Sequence, residues 1–341
     1  MHLLPRAALA LLASSLSLGL AAQTKWDLAT AYPPTNFHTE NISQFAADVE
    51  KATAGQLKIQ VHPNASLFKA PEIKRAVQGG QAQAGEVLLA NYENESPLFG
   101  VDGVPFLATS YKNARSLYEA QKPVLGRYLD KQGMLLLFSV PWPAQGLFSK
   151  KPVDAMADMR RIKWRAYSPA TARMGELMGA QAVTVQAAEL SQAMATGVVE
   201  AFMTSSTTGV DSRIYEHIQN FYDVQAWLPK NAVLVNARAF QALDKGQQEA
   251  VLKAAAAAEE RGWRLSQEKN EAAKQALTGK GMKVAQPSGK LVSDMKQLGW
   301  TMLEDWRKKA GAEGESIVSA YLKTPAFAPV IAAPAAKETR K

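Results

Sequence analysis

Residues 161–203 read RIKWRAYSPATARMGELMGAQAVTVQAAELSQAMATGVVEAFM, and in this segment the patterns of strands and helices alternate. Arg161–Tyr167 alternates as a strand does, and Ala170–Met178 has the spacing of a helix that ends at Gly179. The order then repeats with a strand, a helix that ends at a glycine, and an apolar strand: Ala182–Val185, Ala188–Thr196 and Val198–Met203. Strands that alternate with short helices predict an α/β sheet with parallel strands.

The same order occurs earlier in the chain, between the strand Lys25–Thr30 and the apolar strand Gly85–Leu89. The segments between them are a helix, a strand and a second helix: Thr39–Thr53, Leu57–Val61 and Ala70–Gln78. The second helix of each half also shares a spacing, in which Glu72, Ala76, Val77 and Gly80 match Glu189, Ala193, Met194 and Gly197. The sequence therefore predicts two similar α/β lobes, each with a largely parallel sheet.

The last third of the chain is helical in pattern. Residues 247–277 contain no strong helix breaker, with Gly262 as the one weak point, and a helix of that length extends for about 45 Å. We expect this helix to brace both lobes. A further helix over Gly289–Lys309 has apolar residues at core spacing, and the Pro- and Ala-rich segment 325–341 is predicted to be a flexible tail.

The composition limits the classes of function. With 341 residues the chain is too long for one ordinary compact unit, and 39 Lys and Arg against 31 Asp and Glu give a net charge of +8. The basic excess is scattered, which disfavours a nucleic-acid site. The absence of cysteine excludes disulfides, thiolate metal sites and cysteine nucleophiles, and the four histidines form no zinc motif. We expect neither a cofactor nor a metal ion.

The N-terminal segment 1–22 is typical of a secretory signal peptide. Arg6 precedes an apolar run over Ala7–Ala22, whose small residues suit cleavage near its end. A retained membrane anchor is the alternative. Since no later stretch has about 18 consecutive apolar residues, the sequence predicts a soluble, exported protein.

The common enzyme signatures do not occur in the sequence. There is no Gly-x-Ser-x-Gly elbow and no phosphate-binding loop, and Gly279-Lys280-Gly281 is interpreted as the turn that ends the long helix. We therefore expect a protein that is not an enzyme. A periplasmic lyase or isomerase that uses His38 or Glu200 as its base stays open as an alternative, although a histidine such as His38 is more often a pocket or surface residue.

Arg165 is the candidate ligand-binding cation. The strand period places Arg165 and Tyr167 on the face opposite Trp164, and Ser168-Pro169 then ends the strand and opens a helix. The carboxyl end of a strand in an α/β fold is a usual place for a small ligand, and a guanidinium can hold a carboxylate through two parallel hydrogen bonds. The alternative is a surface arginine on an edge strand.

Several short motifs together resemble a known family. They are the strand Met159–Arg165, the Gly179-Ala180 turn and the segment Glu189–Ala201, preceded by Lys25–Ala29, Thr53–Ile59 and Ala76–Gly80. In this order and spacing the chain, to about Leu322, resembles the dicarboxylate-binding type of solute-binding subunits of tripartite ATP-independent periplasmic (TRAP) transporters. The resemblance implies a two-lobed clamshell of the periplasmic-binding-protein type. Such a protein closes on a small organic acid and delivers it to the membrane subunits of the transporter.

The resemblance also implies that Arg165 pairs with the ligand carboxylate. Some family members carry a second arginine twenty residues earlier, where this chain has Gln145, and Thr204 stands where the family has an asparagine. A single cationic anchor favours a monocarboxylate with an apolar or aromatic body. The other predicted ligand-binding residues are nearby aromatic and polar side chains: Trp142, Tyr167, Phe202, Ser205, Asn91 and Asn231. For the aromatic residues, the ordinary lobe core is the alternative.

By analogy with the family, lobe I is predicted to comprise residues 23–143 and 231–272, and lobe II residues 144–230 and 273–324. A monomer is expected. A receptor for an ABC importer or for a sensor kinase is the alternative within the binding class.

Overall fold

The computed structural model describes residues 23–324, so the predicted signal peptide and tail lie outside the described residues. The strands are β1 (Thr24–Ala29), β2 (Leu57–His62), β3 (Ala84–Leu88), β4 (Met134–Pro141), β5 (Gly146–Ser149), β6 (Lys163–Ala166), β7 (Gln181–Thr184), β8 (Ala201–Thr204), β9 (Asn220–Tyr222), β10 (Lys230–Asn236) and β11 (Lys283–Ala285). The helices are α1 (Phe37–Ala52), α2 (Ile73–Gln78), α3 (Tyr111–Asp130), α4 (Pro169–Leu177), α5 (Leu190–Ala195), α6 (Ser206–Asp211), α7 (Ala237–Gln241), α8 (Lys245–Gly279) and α9 (Gly289–Leu322).

Two sheets define two lobes. The first lobe is built on a five-stranded sheet of order β2-β1-β3-β10-β4, and the second on a six-stranded sheet of order β11-β9-β5-β8-β6-β7. The predicted two-lobed α/β fold is thus confirmed. The repeat seen in the sequence is also present, since β1, α1, β2, α2 and β3 in the first lobe correspond in order to β6, α4, β7, α5 and β8 in the second.

Both sheets are mixed, whereas the sequence predicted largely parallel ones. Strands β1, β2 and β3 are parallel, but β10 is antiparallel to β3 and β4, and β5 is antiparallel to β8 and β9. Strands β5 and β10 both follow segments that cross from one lobe to the other. The local alternation of strands and helices does not show that β10 lies between β3 and β4 or that β5 lies between β8 and β9, because these partner strands are far apart in sequence.

The lobes are joined by two crossing segments that hydrogen-bond to each other. One runs over residues 142–145 and the other over residues 223–229. The backbone N–H of Trp142 donates to the carbonyl of Pro229 at 2.8 Å, and that of Gln145 donates to the carbonyl of Trp227 at 2.8 Å. These backbone bonds form a short, two-stranded hinge at the base of the cleft.

The long helices cross both lobes. Helix α8 packs against α1 and β4 in the first lobe and against α6 in the second, which confirms the predicted brace. Helix α9 leaves helical geometry at Gly311, close to the predicted end at residue 309, and then continues. Its final turns place Ile317 and Val318 in the core of the first lobe, although the sequence assigned residues 273–324 to lobe II. The exact lobe boundaries remain a prediction, because α8 and α9 belong to both lobes.

None of the helices between residues 23 and 324 combines the length and the apolar character that a bilayer crossing requires.

Candidate functional site

A cavity of about 400 Å³ lies between the two lobes, above the hinge. Its wall includes seven of the nine residues predicted to bind ligand: Asn91, Trp142, Gln145, Arg165, Tyr167, Thr204 and Ser205. The remaining wall is largely apolar and includes Ala31, Leu88, Ala187 and Pro229. A cavity of this size and character is suited to one small organic molecule.

The topology explains why residues distant in sequence meet at this cavity. Tyr32 follows β1, Asn91 follows β3, Tyr167 follows β6 and Ser205 follows β8. The carboxyl ends of parallel strands lie at the same edge of a sheet, and here the corresponding edges of both sheets face the cleft. The hinge residues Trp142 and Gln145 complete the base of the cavity.

Arg165 lies in the interior of the second sheet and is only 3% exposed. Strand β6 pairs with β7 on one side and β8 on the other, so the alternative of an edge-strand surface arginine is wrong. Its Nε donates to the carbonyl of Val185 at 2.9 Å, and within residues 23–324 the guanidinium forms no ion pair. Burial lowers the pKa of Arg165 to about 10, which leaves the side chain charged at neutral pH.

Two aromatic rings support the Arg165 guanidinium. Its carbon lies 5.1 Å from the centre of the Tyr167 ring and 5.8 Å from that of Phe202. Ring faces attract cations, so these contacts favour the charged form in a buried setting. With Nε engaged by Val185, the terminal nitrogens are available to hold an anion in the cavity.

Gln145 has a defined orientation. Its Nε2 donates to the carbonyl of Pro143 at 3.0 Å, and its Oε1 accepts from the Tyr167 hydroxyl at 3.1 Å. Burial raises the pKa of Tyr167, so the phenol stays protonated and donates. The neutral amide of Gln145 therefore shares the cavity with Arg165 and adds no second charge.

The first lobe contributes an aromatic wall. The rings of Tyr32 and Trp142 meet edge to face with their centres 5.0 Å apart. Trp142 is 5% exposed, and its indole N–H donates to Asn231 Oδ1 at 2.8 Å. The sequence did not indicate Tyr32, which lies in the loop three residues beyond the end of β1.

Two predicted site residues stand behind the cavity wall. Phe202 is fully buried, stacks on Phe148 at 5.6 Å and supports Arg165 from behind. Asn231 is 2% exposed and contacts Trp142. The sequence places both near the site but could not indicate which face of their strands meets the cavity, since the strands are buried on both sides.

The second lobe adds a loop that was not predicted to belong to the site. Residues 186–189 line the cavity opposite Lys69, Ala70 and Pro71 of the first lobe. The two loops correspond in the internal repeat, because each precedes the short second helix of its lobe. The matched positions of Glu72 and Glu189 in the sequence could have indicated that these two loops are equivalent. Each of these carboxylates accepts a hydrogen bond from the backbone N–H three residues earlier.

The candidate bases of the enzyme alternative do not line the cavity. His38 is 1% exposed and lies behind Trp142, with ring centres 4.3 Å apart. Burial lowers the pKa of His38 well below its usual range, so the ring is neutral. A carboxylate oxygen of Glu200 accepts from the backbone N–H of Lys163 at the start of β6, away from the cleft. Within residues 23–324, no group of three or more acidic or histidine side chains is arranged to hold a metal ion.

Comparison with known proteins agrees with this geometry. A solved extracytoplasmic solute receptor of Bordetella pertussis that binds pyroglutamic acid is 57% identical, with a TM-score of 0.87 over 88% of this chain and 100% of that one. A second receptor of Bordetella pertussis, also described as binding pyroglutamic acid, is 45% identical with the same TM-score and the same coverage.

A curated solute-binding protein of Albidiferax ferrireducens is 31% identical over 185 residues, which cover 53% of this chain and 54% of that protein. The family model described as bacterial extracellular solute-binding protein, family 7, matches residues 28–309. Since this match spans most of the chain, the protein belongs to the family 7 extracellular solute-binding proteins.

Proposed function

We propose that the protein is a periplasmic receptor for a cyclic monocarboxylate of the pyroglutamate type, which it delivers to the membrane subunits of a TRAP transporter. The observation that carries this proposal is the Arg165 guanidinium, which is buried at the cavity without an anionic partner in the described chain. A buried charge without a partner is costly, so a ligand carboxylate that pairs with it gains much binding energy.

The rest of the cavity favours a compact ligand with one negative charge. Gln145 occupies the place of a second arginine and is neutral, and the wall formed by Tyr32, Trp142 and Leu88 is suited to the face of a small ring. The other cation at the wall, Lys69, is exposed at the rim of the cleft and is therefore a weak anchor for a second carboxylate.

Polar groups in the cavity match the amide of a five-membered lactam. Asn91 lines the cavity, and its Oδ1 is buried without a hydrogen-bond partner among residues 23–324. A buried acceptor of this kind is expected to be satisfied when a ligand N–H arrives. The Thr204 hydroxyl, which lines the cavity, is proposed to donate to a ligand carbonyl or carboxylate. The Ser205 hydroxyl already accepts from the backbone N–H of Thr208 as the N-cap of α6, and it is proposed to contact the ligand from there. Phe202 and Asn231 act indirectly, through Arg165 and Trp142.

The relatives support the ligand class. The two Bordetella pertussis receptors and a marine metagenome TRAP receptor that is 42% identical are all described as binding pyroglutamate. Other solute-binding proteins of the same fold were solved with succinate, galactonate or orotic acid, but they are 16 to 20% identical and indicate the fold alone. We propose pyroglutamate because all three of these more similar receptors, at 42 to 57% identity, are described as binding it.

The function requires no chemical step. Both candidate bases lie away from the cavity wall, so we propose a receptor that releases its ligand unchanged, and we expect a monomer in solution. We propose a periplasmic location, which the extracellular solute-binding family supports and with which the predicted signal peptide agrees.

Isothermal titration calorimetry on ligand-free protein tests the proposal. Because the marine receptor was obtained with co-purified pyroglutamate, the protein is first unfolded, dialysed and refolded. We expect L-pyroglutamate to bind far more tightly than succinate, galactonate or L-glutamate, the open-chain analogue with a second carboxylate. A thermal-shift screen gives a second measure, since a ligand that binds only the folded state raises the melting temperature. Tighter binding of succinate than of pyroglutamate would show that the proposed ligand class is wrong. Unchanged NMR spectra of pyroglutamate after long incubation would exclude turnover.

A further inference from the structure

A chain of buried hydrogen bonds leads from the aromatic wall of the cavity into the first lobe. The Trp142 indole N–H donates to Asn231 Oδ1 at 2.8 Å, and Asn231 Nδ2 donates to Glu86 Oε1 at 2.9 Å. The other carboxylate oxygen of Glu86 accepts from the Thr30 hydroxyl at 2.5 Å. The chain therefore connects the hinge to strands β10 and β3 and to the end of β1.

The direction of this chain is fixed by chemistry. An indole N–H can only donate, so the oxygen of the Asn231 amide has to face Trp142. The amide nitrogen then points into the lobe and needs an acceptor, which Glu86 supplies. Asn231 and Glu86 are each 2% exposed, so water cannot replace a lost partner without reorganising the core.

Glu86 does not line the cavity, and its charge is not needed for this role. Burial raises the pKa of Glu86 to about 7. A proton on Oε2 is directed to the Thr30 hydroxyl and leaves Oε1 free to accept from Asn231. Two other titratable groups face Glu86. The Nδ1 of His38 lies 3.4 Å from Oε1, and burial keeps the His38 ring neutral. Tyr32 interacts electrostatically with Glu86 and hydrogen-bonds to Asn231, and burial raises the pKa of its phenol, which therefore stays protonated. The hydrogen bond to Asn231 is thus the same in both protonation states of Glu86.

Trp142 is the part of the cavity wall that depends most on this support. It follows β4 at the hinge, packs edge to face on Tyr32 and lies close to His38. Rotation of the indole away from Asn231 would leave its N–H buried and unpaired, and would change the shape of the wall that a ligand ring contacts. The acceptor end of Asn231 therefore orients the indole N–H, while the rings of Tyr32, Phe37 and His38 pack on the indole.

We propose that Glu86 is a positioning residue for ligand binding, which acts through Asn231 to fix the indole of Trp142 as the ring-contacting wall of the cavity. This inference rests on the proposed function, in which the ligand body is a small ring. Glu86 itself never touches the ligand.

Four variants test the role of Glu86. Glu86→Gln keeps an oxygen for Asn231 and turns an amide N–H toward Thr30, whereas Glu86→Met fills a similar volume without an acceptor. Asn231→Leu breaks the chain from the other side, and the fourth variant combines Glu86→Met with Asn231→Leu. We expect L-pyroglutamate to bind Glu86→Gln within about threefold of the wild type, and Glu86→Met and Asn231→Leu at least tenfold more weakly.

The double variant separates positioning from general damage to the core. If Glu86 acts only through Asn231, the double variant binds no more weakly than Asn231→Leu alone, whereas independent effects add. The indole N–H resonance of Trp142, assigned with Trp142→Phe, gives a direct readout. It should move in Glu86→Met and stay in place in Glu86→Gln. Additive losses of affinity, or an unmoved Trp142 resonance in Glu86→Met, would overturn the inference.

The test distinguishes a failure of this inference from a failure of the ligand assignment. If the wild type binds a different carboxylate of the screen and not pyroglutamate, the proposed ligand is wrong, and the same cycle with that carboxylate still tests Glu86. If Glu86→Met does not fold, the Trp142 resonance in Asn231→Leu and Glu86→Gln decides the matter. A perturbed resonance in Glu86→Gln, which preserves the acceptor, would then contradict the role of Glu86.

Discussion

The side-chain amide of Asn36 in the first lobe donates a hydrogen bond to Asp211 in the second lobe, with a nitrogen–oxygen distance of 2.7 Å. The carbonyl oxygen of the same side chain accepts from the backbone N–H of His38, so Asn36 is also the N-cap of α1. Asp211 is the last residue of α6, and both residues line the outer part of the cleft. This pair directly bridges the mouth of the closed cleft.

We expect loss of this bridge to speed ligand release. Asn36→Ser keeps a good N-cap but has no amide to reach Asp211. A hydrogen bond at a partly exposed position contributes about 1 kcal/mol, which corresponds to a roughly fivefold faster dissociation rate. The association rate should change little, because the bridge forms only when the cleft closes. Stopped-flow fluorescence of the intrinsic tryptophans would measure both rates.

Exchange of the two side chains is the matched control for the bridge. Asn36→Asp alone sets two carboxylates against each other and should release ligand faster than Asn36→Ser. The combination of Asn36→Asp with Asp211→Asn restores one donor and one acceptor, and also retains a side chain that caps α1. Dissociation as fast in the exchanged pair as in Asn36→Asp would show that the bridge does not control release.

Arg165 is expected to carry most of the ligand affinity. Loss of one partner of a buried ion pair costs about 2–5 kcal/mol, so Arg165→Ala should bind roughly 30-fold to several thousand-fold more weakly. Arg165→Lys should also bind poorly, because an ammonium cannot form the planar pair of hydrogen bonds. Titration calorimetry of both variants against L-pyroglutamate measures the effect.

The ligand-free form of Arg165→Met provides a further check. Since the guanidinium is buried without an anionic partner in the described chain, its replacement should leave the melting temperature of the ligand-free protein at least as high as in the wild type. A large drop in that temperature, with ligand affinity preserved, would identify Arg165 as a structural residue.

The sequence predicted the local elements of the fold well and their long-range pairing poorly. The helix predicted over Thr39–Thr53 is α1, and the strand predicted over Arg161–Tyr167 contains β6. Hydrophobic periodicity and terminal glycines determine such elements locally. Strand β10 was missed, because it is buried along its whole length and therefore shows no alternation, and its partners β3 and β4 are distant in sequence.

The site was predictable where a strand end or a family motif marked it. Arg165 and Tyr167 could be placed from the period of one strand and the Ser-Pro that follows. Tyr32 and the role of Asn231 could not, because the contact between Asn231 and Trp142 joins residues 89 positions apart and depends on how the two hinge segments pair. Such contacts follow from tertiary packing, which a single sequence does not display.

The neutral side chain at position 145 is expected to determine the charge of the ligand. Gln145→Glu is close to isosteric and places a carboxylate in the same cavity as Arg165, where it attracts the guanidinium and repels a ligand carboxylate. We expect the affinity for L-pyroglutamate to fall at least tenfold at pH 8, and to recover in part at pH 5 as the new carboxyl group takes up a proton. Equal losses at both pH values would indicate a steric effect, for which Gln145→Met is the uncharged control.

Glu86 should make the stability of the protein depend on pH in a predictable direction. Burial raises its pKa from an ordinary value of 4.5 to about 7, so between these values the folded state holds a proton that the unfolded state has lost. Its contribution to stability is therefore full below about pH 4.5 and is lost as the pH rises through about 7. Burial lowers the pKa of His38, so His38 makes the folded state less stable as the pH falls. This effect is present in both wild type and Glu86→Gln, and it cancels when the two proteins are compared. The melting temperature of Glu86→Gln should exceed that of the wild type more at pH 8 than at pH 5. Parallel curves would contradict the assignment.

Gly262 permits the close contact between α8 and the first sheet. A Cβ atom at this position would lie 2.3 Å from Val140 Cγ2 and 2.8 Å from Asn41 Nδ2. Helix propensity alone favours Gly262→Ala by about 1 kcal/mol, but the clash with a packed strand should outweigh it and destabilise the protein by about 1–3 kcal/mol. Gly246→Ala in the exposed first turn of the same helix meets only Asp244 Oδ1 at 3.4 Å and should be neutral or stabilising. Melting curves of the two variants separate propensity from packing. An increase in melting temperature for Gly262→Ala would mean that α8 can move away from β4 at little cost, and that its brace across the two lobes is loose.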